Sequence, residues 1–236
     1  MSTRLTERVR RATAAVITVL ATGCGYTERT PESVQVADTG VGALPYYGDA
    51  TFTPSWFPAG EAPDDFHTIS DFELLDQRGE AVTRSDLSGK IYVANFFFTD
   101  CAGICPLTMA SLTRLREELA DDLDVALVSH SVAPQRDDVD RLAAFADQIG
   151  AVAPEWYLLT GETDALYELG RDAFFADEDL GQTRSERDAD RFLHSETFYL
   201  VDQDHHIRGV YNGMSRTAVN HLIEDIRQLQ REHSSY

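Results

Sequence analysis

Lysine is almost missing from this chain: Lys90 stands alone, and every other basic side chain is an arginine. The basic residues number 20 against 40 acidic ones, a net charge of −20 at pH 7. That balance argues against a nucleic-acid partner, which demands a basic face. An acidic surface keeps a protein soluble and reports on its surroundings more than on a reaction. Cysteine is also scarce, at three residues, so no dense disulfide scaffold holds the fold. Internal repeats and heptad arrays are absent, which sets aside solenoids and coiled coils. What is present is apolar material, 43% of 236 residues, enough for one substantial core with appendages.

The first residues read as an address. Arg4, Arg8, Arg10 and Arg11 precede "ATAAVITVLA", about ten apolar or small residues, and "TGC" follows, ending at Cys24. A charged start, a short apolar run and a small-residue site make an export signal, too short to cross a hydrocarbon core of about 30 Å as a free-standing helix. Ala21-Thr22-Gly23-Cys24 resembles a bacterial lipoprotein box, with Leu20 one place earlier than usual, and makes Cys24 the expected lipidation site. Residues 1–24 are therefore read as the signal of an exported, membrane-anchored protein facing the periplasm or its equivalent. Residues 25–62 are rich in Gly, Pro, Thr and acidic side chains and read as a flexible tether, with an aromatic patch (Tyr46, Tyr47, Phe52, Trp56, Phe57) able to lie on the domain. Residues 63–236 form the domain proper.

Within the domain the pattern turns regular. "FELLDQRGEAV" (72–82) predicts a hairpin turning near Arg78-Gly79, and "SDLSGK" a short capped turn. "IYVANFFF" (91–98), "VALVSHSV" (125–132) and "WYLLT" (156–160) predict buried strands. Helices are expected from Pro106 to about Leu119, with Leu107, Leu112, Leu115 and Leu119 on one face, then over 137–149 and 163–174. A polar, acidic insertion spans 176–191. "ETFYLVD" and "IRGVYN" form a hairpin across "QDHH", and a final helix over 216–232 carries an apolar stripe at Val219, Leu222, Ile223, Ile226 and Leu229. This order predicts an α/β thioredoxin-like sandwich: a central mixed sheet flanked by helices, a hairpin extension at the N-terminal side and an insertion before the last hairpin. Chemistry gathers at the carboxyl ends of parallel strands in such sheets.

Cys101 and Cys105 sit beyond the end of the first of those strands, in "FFFTDCAGICPLTM" (96–109). Pro106 fits the first helical position with Cys105 as cap, so both sulfurs should face the positive end of the helix dipole, which lowers a thiol pKa. A disulfide closing so short a loop would constrain the unfolded chain little. CxxC is the usual spacing for rapid disulfide exchange, whereas CxxxC opens the loop by one residue and suits two sulfurs converging on one soft ion. Two thiolates underfill a tetrahedral zinc site, while Cu(I) accepts two or three ligands. His194, just before the penultimate strand, is the candidate third ligand. With an imidazole, the set Cys101, Cys105 and His194 can hold Cu(I) or Cu(II). His130 could lie at the same rim but reads better as packing. His205 and His206, at the hairpin turn, read as solvated, Met109 as core, and Asp100 as a charge beside Cys101 or a solvated residue.

At this point the sequence resembles the Sco/SenC proteins, thioredoxin-like copper chaperones of cytochrome c oxidase assembly. The resemblance covers roughly residues 63–232 and rests on "ANFFFTDCAGICPLTM", "VSHSVAPQRDDVDRLAAFA", "WYLLTG" and "FLHSETFYLVDQDHHIRGVYNG". It implies that Cys101, Cys105 and His194 bind one copper ion. It also implies the CuA site of cytochrome c oxidase subunit II as destination, with another periplasmic protein as copper donor or thiol reductant. Ala133 and Leu193 stand where many members have aspartate, which puts in doubt an acidic surround for the site. A second reading makes Cys101 and Cys105 the catalytic pair of a thiol-disulfide oxidoreductase that reduces the CuA cysteines. A peroxidase is a distant third, because the usual approach to a peroxidatic cysteine is missing. An inert disulfide in a binding module is the bland alternative.

Overall fold

The computed structural model describes residues 43–57, 62–101, 103, 105–120, 122, 124–176 and 196–233. The export signal with Cys24, nearly all of the polar insertion, and His194 lie outside the described residues.

Three strands form one side of the sheet: β5 (Ile91–Phe97), β6 (Val125–Ser131) and β7 (Trp156–Leu159). Every residue in them is buried, which is why they read as near-continuous apolar runs rather than alternating ones. They pair in parallel, with Ile91 opposite Val125, Phe96 opposite His130 and His130 opposite Leu159. On the other side of β5, β8 (Thr197–Val201) and β9 (Ile207–Asn212) make an antiparallel hairpin. The full order is β2-β1-β9-β8-β5-β6-β7, a mixed seven-stranded sheet. At one edge, β1 (Tyr46–Tyr47) and β2 (Pro54–Ser55) come from the stretch expected as tether.

Side-chain alternation along β5 divides the core in two. Ile91, Val93 and Phe97 pack with α1 (Cys105–Glu118), α2 (Val139–Ile149) and α4 (Arg216–His233), through Leu112, Leu115, Leu142, Val219, Leu222 and Ile226. Tyr92, Ala94 and Phe96 pack against the other layer, built from α3 (Thr163–Glu168), the π-helical turn Leu169–Ala173, and a hairpin of β3 (Glu73–Leu75) and β4 (Ala81–Thr83). Gly79 takes the positive φ, 76°, that this tight turn needs. A short 3₁₀ helix, Arg84–Leu87, follows, capped reciprocally by Thr83 and Asp86. The β3–β4 hairpin also covers the β7 edge: Leu75 and Thr160 exchange backbone hydrogen bonds, and the Gln77 amide joins the Trp156 carbonyl and the Leu158 N–H.

The helix phase of α1 differs from the expected one. Cys105, Thr108, Met109, Leu112 and Leu115 face the core, while Leu107 is 59% exposed. Once Cys105 points inward, position 107 lies about 200° round the helix from it and faces solvent. Met109, one turn on, fills the core as the sequence suggested.

Arg208 organises the far edge. It is buried, donates to the carbonyls of Leu44 and Pro45, pairs with Asp202 at 3.0 Å, and lies 3.8 Å over the Tyr46 ring. Glu232 of α4 accepts from the Leu44 N–H at 3.2 Å and from Arg208 at 3.4 Å. A buried guanidinium must be paired, and here its partners are the incoming chain as much as the carboxylates. His205 and His206 belong to the same buried region rather than to solvent. The His205 ring meets Ser88 Oγ at 3.0 Å and Tyr92 Oη at 3.4 Å. His206 lies 3.5 Å from Asp202 with the Tyr46 and Phe66 rings against it. Tyr46, Phe66, Ser88 and Tyr92, distant in sequence, supply these contacts, so the hairpin turn alone could not announce them.

Candidate metal and thiol centre

The carboxyl ends of β5 and β6, the start of β8 and the end of β9 all reach one rim of the sheet, as the parallel and antiparallel registers require. Both cysteines lie there. β5 ends at Phe97, Cys101 closes a tight turn with its N–H on the Phe98 carbonyl at 3.3 Å, and α1 begins at Cys105. The described chain resumes after the insertion at Glu196, on this same rim, where the Gly213 N–H donates to its carbonyl.

Cys105 is 5% exposed and packs with Phe97, Met109 and Leu112; Cys101 is half-buried against the same cluster. Both are free thiols, close enough that Cys101 acts on the Cys105 thiol. The expected thiolate character does not hold for Cys105. Burial, reinforced by the Cys101 hydrogen bond, pushes its thiol up to about 12, against opposing hydrogen bonds from the backbone at Phe98 and at Cys105 itself. A helix N-terminus favours the anion, but desolvation is larger here. A soft cation binding at the pair must therefore displace a proton from Cys105. Among the described residues, no group of three His, Cys, Asp or Glu side chains is placed to hold a metal.

The loop between β5 and α1 is tied to the connection between β6 and α2. Asp137, 1% exposed, accepts from Thr99 N at 3.1 Å, Thr99 Oγ1 at 2.5 Å and Ser131 Oγ at 2.7 Å. Arg141, in the first turn of α2, donates from Nε to Thr99 Oγ1 at 3.0 Å and pairs with Asp100. Arg136 lies 5.6 Å over the Phe98 ring. Asp137 and Arg141 were not singled out from the sequence. A Ser on a strand end with an Asp six residues on, just before the Asp138 cap of α2, was the available signal.

His130 does not join the thiols. It shares a sheet face with Phe96, whereas Phe97 and Cys105 occupy the other. Phe96 stacks on it at 5.1 Å and the Phe72 and Phe174 rings flank it. Nδ1 lies 3.3 Å from the Asn95 carbonyl, Nε2 has no partner among the described residues, and burial lowers the pKa to about 4. His67 is likewise structural, its Nε2 at 2.8 Å from the Ala173 carbonyl.

A mixed sheet in this order, with two thiols where the first parallel strand hands over to its helix, defines a thioredoxin-like dithiol protein. Residues 60–231 match the SCO1/SenC family, and the chain belongs to it. A SCO1/SenC family lipoprotein of Bacillus anthracis is 31% identical, with 70% of this chain and 95% of that one covered and a TM-score of 0.61. BsSco, described as a Sco family cytochrome c oxidase assembly protein with a disulfide switch, is 29% identical over 70% of this chain and 94% of its own, at a TM-score of 0.59. Copper-bound ScoI of Arabidopsis thaliana, at 24% identity over 67% of this chain and 98% of that one, shares the fold with a TM-score of 0.54.

Proposed function

We propose that this protein is a copper metallochaperone of cytochrome c oxidase assembly, which carries copper on Cys101, Cys105 and His194 to the CuA site of subunit II. The observation that carries the reading is the pair of free thiols at one rim of the sheet, close enough for one to act on the other, in a chain of the SCO1/SenC family. Two sulfurs and an imidazole suit copper in either oxidation state. Transfer then proceeds by ligand exchange: thiolates of the acceptor replace Cys101 and Cys105 one at a time, and copper is never released free. The N-terminal segment, with Cys24 as its lipid attachment, tethers the domain to the extracytoplasmic face of a membrane. Copper titration of the purified protein tests the reading. One equivalent binds, either cysteine replacement abolishes it, and His194→Ala weakens it; undiminished binding in all three variants rejects the site.

The inequality of the two sulfurs supports a second reading. A partly exposed Cys101 ahead of a buried, protonated Cys105 is also the arrangement of a dithiol that attacks a partner disulfide with its outer sulfur. Under that reading the protein reduces the CuA cysteines and His194 is dispensable. Full reductase and assembly activity in His194→Ala, with copper binding lost, would favour it.

A further inference from the structure

Each of the three residues before Cys101 is gripped by the same short segment between β6 and the first turn of α2. Phe98 lies under the Arg136 guanidinium, Thr99 gives its N–H and its hydroxyl proton to Asp137, and Asp100 pairs with Arg141. Arg141 Nε donates to the Thr99 oxygen whose proton goes to Asp137, so Thr99 is held between a buried carboxylate and an exposed guanidinium. The carboxylate is itself fixed by Ser131 Oγ, and Ser131 Oγ also accepts from the Ala133 N–H at 3.1 Å. The Val132 N–H closes the gap by donating to the Phe97 carbonyl at 2.9 Å.

A buried carboxylate is retained only where donors compensate its desolvation, and charge-assisted bonds of this kind are stronger than neutral ones. Of the three donors, one is Ser131 at the end of β6 and two come from Thr99, just past β5 and two places before Cys101. Cys105 is held differently: it packs in the apolar cluster, and the backbone at Phe98 hydrogen-bonds its thiol. The position of one sulfur relative to the other therefore depends on the polar clamp.

We propose that Asp137 is the positioning residue of the dithiol: through Thr99 it holds the Cys101 turn so that the two sulfurs stand at metal-sharing separation instead of collapsing to a disulfide bond length of about 2.05 Å. The inference deepens the copper reading above, and part of its test is independent of copper. Carboxylates and other groups that orient metal ligands without touching the metal are worth about 10–100-fold in affinity.

The test uses the purified full-length protein and three variants. In Asp137→Asn the amide can still accept, but it turns an N–H₂ toward the Thr99 and Ser131 donors. Competition against a chromogenic Cu(I) chelator shows an affinity at least about tenfold weaker. Equilibration with glutathione redox buffer shows the disulfide favoured about tenfold, a fall of about 30 mV for this two-electron couple. Thr99→Val, which loses the hydroxyl and keeps the backbone bond, moves both readouts the same way by a smaller amount. Thr99→Ser, which keeps both bonds, restores wild-type values. Folded Asp137→Asn with wild-type affinity and potential overturns the proposal. If Asp137→Asn does not fold, identical behaviour of Thr99→Val and Thr99→Ser overturns it instead. If the wild-type protein binds no Cu(I), the copper reading fails, while the glutathione equilibrium still decides the role of Asp137.

Discussion

Cys101 and Cys105 are four residues apart and are held by different physics. Cys105 opens a helix whose inward face, through Thr108, Met109, Leu112 and Leu115, is embedded in the larger apolar cluster; the contacts are many, weak singly and tolerant of small shifts. Cys101 ends a turn fastened by a few directional bonds from Asp137 and Arg141 to Thr99 and Asp100. Packing resists displacement in proportion to buried area, whereas each partner lost from a hydrogen-bonded clamp leaves a buried polar group unsatisfied. The helix side is thus the anchor and the loop side the adjustable jaw.

Substitutions that separate stability from site geometry break this comparison most directly. Leu112→Ala empties part of the core beneath Cys105 and costs about 2–5 kcal/mol in urea unfolding, with the redox equilibrium of the folded protein little changed. Next in size is an effect of acid on the opposite sheet face. His130 is buried neutral with its pKa lowered to about 4, below the unfolded value of about 6.5. Its contribution is complete above about pH 6.5, declines as the pH falls toward 4 because the unfolded chain takes up the proton first, and then levels off. The total is about 3 kcal/mol, and His130→Leu flattens that limb of a stability-versus-pH curve. Ser131→Ala removes one donor from Asp137 and costs about 1–2 kcal/mol by thermal or urea unfolding. Smallest is Arg141→Ala: its pairing with Asp100 is exposed, so unfolding shows a loss within about 1 kcal/mol that shrinks further in high salt.

Much of the sheet was legible in the sequence because β5, β6 and β7 are buried throughout, and a near-continuous apolar run such as Ile91–Phe97 is the pattern such a strand takes. The sulfur pair was legible for a similar reason, since CxxxC followed by Pro106 states both a spacing and a helix start. Failures came where one residue's setting depends on distant chain. The helix phase that exposes Leu107 follows from the direction of Cys105. The burial of His205 and His206 depends on Tyr46, Phe66 and Ser88 arriving from elsewhere. The raised pKa of Cys105 could not be read from a helix-dipole argument, because the competing desolvation is set by how tightly Phe97 and its neighbours close over the sulfur. Asp137 looked like one more acidic residue in an acidic chain until the topology brought Thr99 to it.

The seat of residues 44–47 carries a mechanical consequence. Tyr47 pairs with Ile207 at the opposite end of the sheet from the thiols, and Arg208 and Glu232 grip the Leu44 and Pro45 backbone there. A pull transmitted along the chain from its N-terminal side is taken up by that ionic knot and by the length of β9, and reaches the sulfur rim only after the knot has given way.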